Sequence, residues 1–200
     1  SHAISYSIIS YQCAWLYNYY PVEWMAAFLE REPDTRKAEA ISLAQSHGFD
    51  IKDIDINTSS ASWDVLDSKT LVAPLTSIKG LGDKAIEEIE ANRPFDAVED
   101  LLFNSDIAYR KLNKRSFVAL SKAGALHSLR DDRFCGDRHF HLSCFENRPK
   151  NAKKLAENIE SFKAQGEWTT IEKARNLHEI TGKYPINLIC DRVTAMKLNN

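Results

Sequence analysis

The chain has 200 residues, 44% hydrophobic and 27% charged, with a formal net charge of −2. Seven glycines and six prolines are too few for a low-complexity chain, so the composition is that of an ordinary globular protein of one or two domains. The near-neutral charge excludes a global basic field, and the cysteines at 13, 135, 144 and 190 do not form the dense framework of a small secreted domain, so reduced thiols in a cytoplasm are the simpler expectation.

The opening stretch, SHAISYSIISYQCAWLYNYYPVEWMAAFLE, is apolar and aromatic. It has no basic n-region and no small-residue cleavage pattern. Ser5, Ser7, Ser10, Gln12 and Asn18 interrupt what a membrane span would need as about 20 predominantly apolar residues. Ile4, Ile8, Tyr11 and Trp15 recur at three- and four-residue steps, which predicts a buried amphipathic helix over 2–19. Pro21 suits the first turn of a second helix that ends near Glu32, and Pro33 breaks it. Asp34 or Thr35 can cap a third helix stopping at Gly48. FDIKDIDIN alternates apolar and polar and reads as strand or extended chain, and ASWDVLDSKTLVAPL predicts two short strands around a turn at Asp67-Ser68-Lys69. Helices are expected again over 75–130, with turns near 80–82, 92–96 and 123–125. Residues 131–149 show no clear period and read as a connector. A polar helix is expected over 150–164, another over 170–181, and a strand in YPINLICDRV.

The most informative stretch is LTSIKGLGDKAIEEI, residues 75–89. Its pattern of apolar positions around Gly-apolar-Gly predicts a helix-hairpin-helix. Gly80 and Gly82 let the chain turn tightly and expose backbone, while Leu81 tucks between the helices. The N–H groups at the start of the second helix, near Gly82 to Lys84, then point outward unpaired and suit a phosphate, helped by the helix dipole and flanked by Lys79 and Lys84. An ordinary turn with a glycine cap would not require the flanking apolar residues Leu75, Ile78, Leu81, Ala85, Ile86 and Ile89, all of which fit.

A second element, LNKRSFVALSKAGALHSL over 112–129, supports this. Asn113 can cap a helix, and a turn follows at Ala123-Gly124-Ala125. From Ile107 to Arg130 there is no acidic residue, whereas Arg110, Lys111, Lys114, Arg115, Lys122 and Arg130 fall there; Lys111, Lys114 and Arg115 share a face if the helix starts early enough. The alternative is a solvated basic face. A basic patch beside a phosphate-binding hairpin favours a duplex backbone track without base readout.

At these residues the sequence resembles the bacterial replicative DNA polymerase III alpha subunits (family C), a phage version included. The Ser-His-Ala start, Ser-Tyr-Gln, and Tyr-Pro followed by Glu, an aromatic, Met and two Ala are similar to that family's fingers segment. DIDIN is similar to a Pro-Asp-Ile-Asn run, with Asp53 where a proline is common. SIKGLGDKAIEEI and LNKRSFVALSKAGAL look like its tandem helix-hairpin-helix domain, and GEWTTIEKARNLHEITGKYPI is similar to the helix leading into its OB domain. The resemblance implies a mainly α fold: a helical C-terminal part of the fingers with a short β-hairpin over 1–74, a tandem hairpin domain over 75–130, a linker and helix over 131–165, and the lead-in to an α/β or OB-like region over 166–200. It further implies a polymerase interior cut within the fingers. The catalytic carboxylates and their Mg2+ would then lie in a palm outside this chain, which alone would be inactive. Its partners would be primer–template duplex, the remainder of the polymerase and a sliding clamp, in a bacterial or phage-infected cytoplasm, with no membrane. His2 and Tyr6, four apart, share a helix face that in the family looks toward the nascent base pair, which implies contact with the incoming nucleotide; the alternative is that Tyr6 fills a core.

Cys135, His139, His141 and Cys144 are zinc-ligand types, but their C-x3-H-x-H-x2-C spacing is not that of common fingers or ribbons, so chance clustering is expected and no metal. HLSCF, 141–145, is a poor match to a clamp-binding peptide, and an irregular linker is expected there. Two other functions remain open at this point: a stand-alone hairpin module of a repair or recombination protein, and a protein-interaction piece whose hairpins only pack.

Overall fold

The computed structural model describes residues 2–129, 138–146 and 148–182. The chain is mainly helical and forms two compact units: residues up to Asp53 together with Ser62–Pro74, and Ile54–Ala61 together with the residues from Leu75 onward.

In the first unit, helices α1 (His2–Tyr19), α2 (Pro21–Arg31) and α3 (Asp34–Ser46) accompany a sheet of β1 (Asp50–Lys52), β2 (Asp64–Val65) and β3 (Thr70–Val72). Pro21 opens α2, where its absent N–H costs no hydrogen bond. Val22, Met25, Ala26 and Leu29 form one helical stripe, buried against Ala40, Ala44, Phe49, Trp63 and Leu71. The central strand β3 runs parallel to β1 and antiparallel to β2, with Ile51 and Val65 both paired to Leu71. The expected turn at 67–69 is held by Asp67, whose Oδ1 accepts the N–H groups of Lys69 and Thr70 at 2.8 and 2.9 Å.

Two expectations need correction here. Helix α1 forms over its expected span but is not buried: Ile4, Ile8, Tyr11 and Trp15 are 67, 53, 71 and 44% exposed. Apolar residues lie all round it, Ile9 and Tyr19 included, so there is no polar face opposite an apolar stripe. Only its end is seated, through Tyr17 against Trp24 and His47. In α3, neither Asp34 nor Thr35 caps: Pro33 holds the cap position and Asp34 is the first helical residue, its charge favourable to the dipole. FDIKDIDIN pairs as strand only over β1, after which the chain passes into the second unit.

The second unit contains a 3-10 turn (Leu75–Ser77), α4 (Asp83–Asn92), α5 (Val98–Phe103), α6 (Lys114–Ala123), a second 3-10 turn (His127–Leu129), α7 (Arg138–Glu146), α8 (Ala152–Gln165) and α9 (Thr170–Thr181). Its core is mostly aliphatic, from Ile56, Leu75, Ile78, Ile86 and Ile89 through Leu101, Leu112 and Leu120 to Ile159, with Phe95, Phe117 and Phe162 among them. Local capping chemistry sets the starts: Asn113 and Asn151 accept the N–H groups of Ser116 and Lys154, and Thr169 and Glu172 form a reciprocal capping box. The expected connector over 131–149 contains a helix, α7. Its buried face includes Cys144 and His141, the latter a polar type that hides a helical period from a hydrophobicity reading. The strand expected in YPINLICDRV lies outside the described residues.

Residues 55–57 lock the second unit. Asn57 and the Phe95 backbone exchange two hydrogen bonds at 2.8 Å, the buried Ile56 donates its N–H to Ala125 at 2.7 Å, and Asp55 accepts from Asn57 N–H and from the N–H and hydroxyl of Ser128.

Candidate nucleic-acid interface

The first hairpin runs from the 3-10 turn through Ile78-Lys79-Gly80-Leu81-Gly82 into α4. The N-terminal arm is that single turn and not a full helix, because Lys79 N–H, which would donate to Leu75 in an α-helix, donates to Ile180 O at 2.8 Å. Leu81 is buried and closes the turn through its N–H to Ile78 O at 3.2 Å. Gly80 has φ +93°, a conformation that disfavours any side chain. Gly82 does not: its φ of −89° and ψ of 163° are ordinary extended backbone. A Cβ on Gly82 would meet nothing within 4 Å, so the space before α4 is open.

At that opening the amides of Ala85 and Ile86 turn back to Gly82 O, whereas those of Gly82, Asp83 and Lys84 donate to nothing among the described residues. They lie at the positive end of the α4 dipole, which Asp83 partly complements from within the first turn. Lys79 and Lys84 are exposed beside it and form no ion pair among the described residues. Arg115 of α6 joins them: its Nε would stand 3.3 Å from a Cβ on Gly80, so its guanidinium lies over the hairpin glycine.

The second hairpin follows α6. Gly124, at φ +77°, closes the helix: its N–H donates to Ser121 O and that of Ala125 to Leu120 O. The guanidinium of Arg138 lies against Gly124 as that of Arg115 does against Gly80. Arg138 was not singled out from the sequence, since it falls outside any periodic segment there.

The remaining cations are distributed differently from the expectation. Lys111 lies before α6, so it does not share a helical face with Lys114 and Arg115. Its Nζ is 2.9 Å from Oε2 of Glu88, a carboxylate only 7% exposed. Glu88 also accepts the N–H of Ala108 at 2.7 Å, and this bond together with Lys111 holds its carboxyl below the ordinary glutamate range despite burial. The same pairing raises Lys111. Lys122 is committed to Glu179, its Nζ lying 3.0 and 2.9 Å from the two carboxylate oxygens. The structure thus gathers Lys79, Gly80, Leu81, Gly82, Lys84 and Arg115 into one patch, with Lys122 and Gly124 at the second hairpin.

Of the nucleotide-pocket pair, Tyr6 is 60% exposed on α1, and the His2 side chain lies outside the described residues. Of the zinc-ligand types, Cys135 is outside the described residues. His139 binds Gly166 O through Nδ1 and stacks on Trp168, while His141 and Cys144 face the core. Among the described residues no group of three His, Cys, Asp or Glu side chains could hold a metal ion. Asp55 illustrates why: both its carboxylate oxygens are occupied by Asn57 and Ser128, so DIDIN does not fit a Mg2+ site. The HLSCF segment is helical, within α7. Among the described residues no helix is long and apolar enough to cross a membrane.

A family profile described as a helix-hairpin-helix motif matches residues 48–134. The chain is similar to the DNA polymerase III subunit alpha of Thermus aquaticus, 36% identical over 137 residues, which is 66% of this chain and 11% of the relative. It is similar to the same-named protein of Deinococcus radiodurans at 35% over 163 residues, covering 78% of the chain and 12% of the relative. With that of Buchnera aphidicola the identity is 28% over 196 residues, 95% of the chain and 16% of the relative. The chain spans between about a ninth and a sixth of the length of these relatives.

Proposed function

We propose, from the chain's similarity to part of the bacterial DNA polymerase III alpha subunits, that its second unit grips the primer–template duplex through backbone phosphates during DNA synthesis. The observation that carries this is the open N-terminus of α4. Three amides without partners among the described residues stand there between Lys79, Lys84 and Arg115, over a glycine that leaves a phosphate room to approach. A phosphate accepts from backbone N–H groups and pairs with lysine and arginine whatever the base sequence, so this grip is sequence-independent. That suits an enzyme that must translocate along its product.

The first unit contributes fingers surface: exposed aromatic α1 carries Tyr6 and His2 toward an incoming nucleotide. Catalytic carboxylates and their Mg2+ belong outside this chain, which is inactive alone, and the assembled enzyme works in the cytoplasm. A sliding clamp is a further partner, though the helical HLSCF lends it no support. The stand-alone hairpin module is the competing function; similarity to the Buchnera aphidicola protein that covers 95% of the chain, well beyond the hairpin profile at 48–134, favours the polymerase.

The test is fluorescence anisotropy with a short labelled duplex across a salt series. Binding should weaken linearly in log salt, and Lys79→Ala with Lys84→Ala should reduce the slope by about two. Absence of binding at low salt, or a slope unchanged in the double variant, refutes the grip. A loss confined to one duplex sequence refutes its backbone-only character.

A further inference from the structure

We propose that the C-terminal turn of α9 holds two lysines of the duplex site, Lys79 and Lys122, in cis, so that docking of α9 and binding of DNA compete for them. The proposal rests on the hairpin reading above. Helix α9 reaches both hairpins. At the first, Ile180 O accepts the Lys79 N–H at 2.8 Å, and the Lys79 ammonium would stand 3.1 Å from a Cβ on Gly182, the left-handed residue that ends the helix. A lysine at a helix C-terminus meets the negative end of the dipole. At the second, Glu179 receives the Lys122 ammonium on both carboxylate oxygens. One helix end therefore offers both lysines a stand-in for a phosphate: a full negative charge for Lys122 and the negative end of the helix dipole for Lys79.

The hold is displaceable. Only Ala174 of α9 is fully buried, with Leu177 and Ile180 partly packed on the core, whereas α8 buries Leu155, Ile159 and Phe162. Ile171 is 66% exposed. The Lys122–Glu179 pair is half in water, the side chains being 20 and 59% exposed, so it is weak. Among the described residues Lys84 and Arg115 have no such counter-charge, and an arriving phosphate meets them first. DNA then draws Lys79 and Lys122 from α9, and the helix end loosens.

The experiment compares wild type with Glu179→Gln in the same anisotropy titration. Glu179 is exposed, so its replacement leaves the fold intact. The variant should bind duplex about two- to fivefold tighter, fivefold being roughly the most an exposed ion pair contributes. Adding Lys122→Ala should cancel the gain. In hydrogen exchange, the amides of α9 and of Lys79 should exchange faster when duplex is added. Unchanged or weaker binding by Glu179→Gln, or slower exchange in α9 with DNA, overturns the competition while the duplex grip stands. If neither protein binds at low salt, the grip itself fails and the competition with it.

Discussion

Gly82→Ala separates the two reasons a glycine could be needed in the first hairpin. The fold does not need it: φ is −89° and an added Cβ meets nothing within 4 Å. Alanine there stabilises by about 0.4–1 kcal/mol through the unfolded chain. As a poorer N-cap it costs a similar amount, so urea unfolding should shift by no more than about 0.5 kcal/mol. A phosphate on the amides of Asp83 and Lys84 must approach over this Cα, and a methyl group stands in its way. Losing one hydrogen bond to a charged group costs about 1.5–3 kcal/mol, or roughly ten- to a hundredfold in duplex Kd. Gly80→Ala is the contrasting control. At φ +93°, with Arg115 Nε 3.3 Å from the new Cβ, it should lose about 1–2 kcal/mol of stability as well as affinity. If Gly82→Ala keeps both its stability and its wild-type affinity, phosphate does not sit on the amides before α4.

Glu88→Gln should lower the stability of the second unit by about 1–2 kcal/mol at neutral pH, because a buried, charge-assisted acceptor for Ala108 and Lys111 becomes a neutral one. Its folded pKa lies below the ordinary 4.5, so its contribution is full above that value and is lost as pH falls through the folded one. Urea midpoints of wild type and variant should therefore converge below pH 4.5; a gap that persists or widens in acid contradicts this. Tyr6→Ala in a reassembled polymerase should raise the KM for nucleotide, and an unchanged KM removes Tyr6 from the pocket.

The parts of this chain that were legible in its sequence are those encoded locally. Helix α9 spans 170–181 as expected because Thr169 and Glu172 cap one end and Gly182 the other. The turn at 67–69 follows from one aspartate side chain bonding two amides beyond it. Helix α6 begins at its Asn cap and ends at its glycine. What failed was non-local. Nothing near Lys111 announces Glu88, 23 residues earlier, or near Lys122 its partner Glu179, 57 residues later. These two acids decide which basic residues are committed and which remain open to a polyanion. Burial of α1 was misjudged because apolar spacing predicts a face to be covered without saying by what. That of α7 was missed because His141 and Cys144 do the work usually given to Leu and Val.

The 55–61 segment explains why two short hairpins can act together. A phosphate track requires fixed spacing, yet each hairpin here has one arm that is a single 3-10 turn. The segment splints them. At the first, Ser60 O accepts from Leu75 N–H and Ala61 O from the Thr76 hydroxyl. At the second, Ile56 N–H reaches Ala125 O, and Asp55 takes both the amide and the hydroxyl of Ser128. Asn57, with its amide wholly engaged by the Phe95 backbone and Ser128, ties in the chain that joins the hairpins. Asp55, one of two aspartates whose spacing invites a metal, is thus a structural acceptor. Its charge is offset by donors at the second hairpin and so does not repel a nearby phosphate as a free carboxylate would. A motif that reads as chemistry in the sequence is geometry in the fold, and that geometry holds the open amides of α4 in register with the second hairpin.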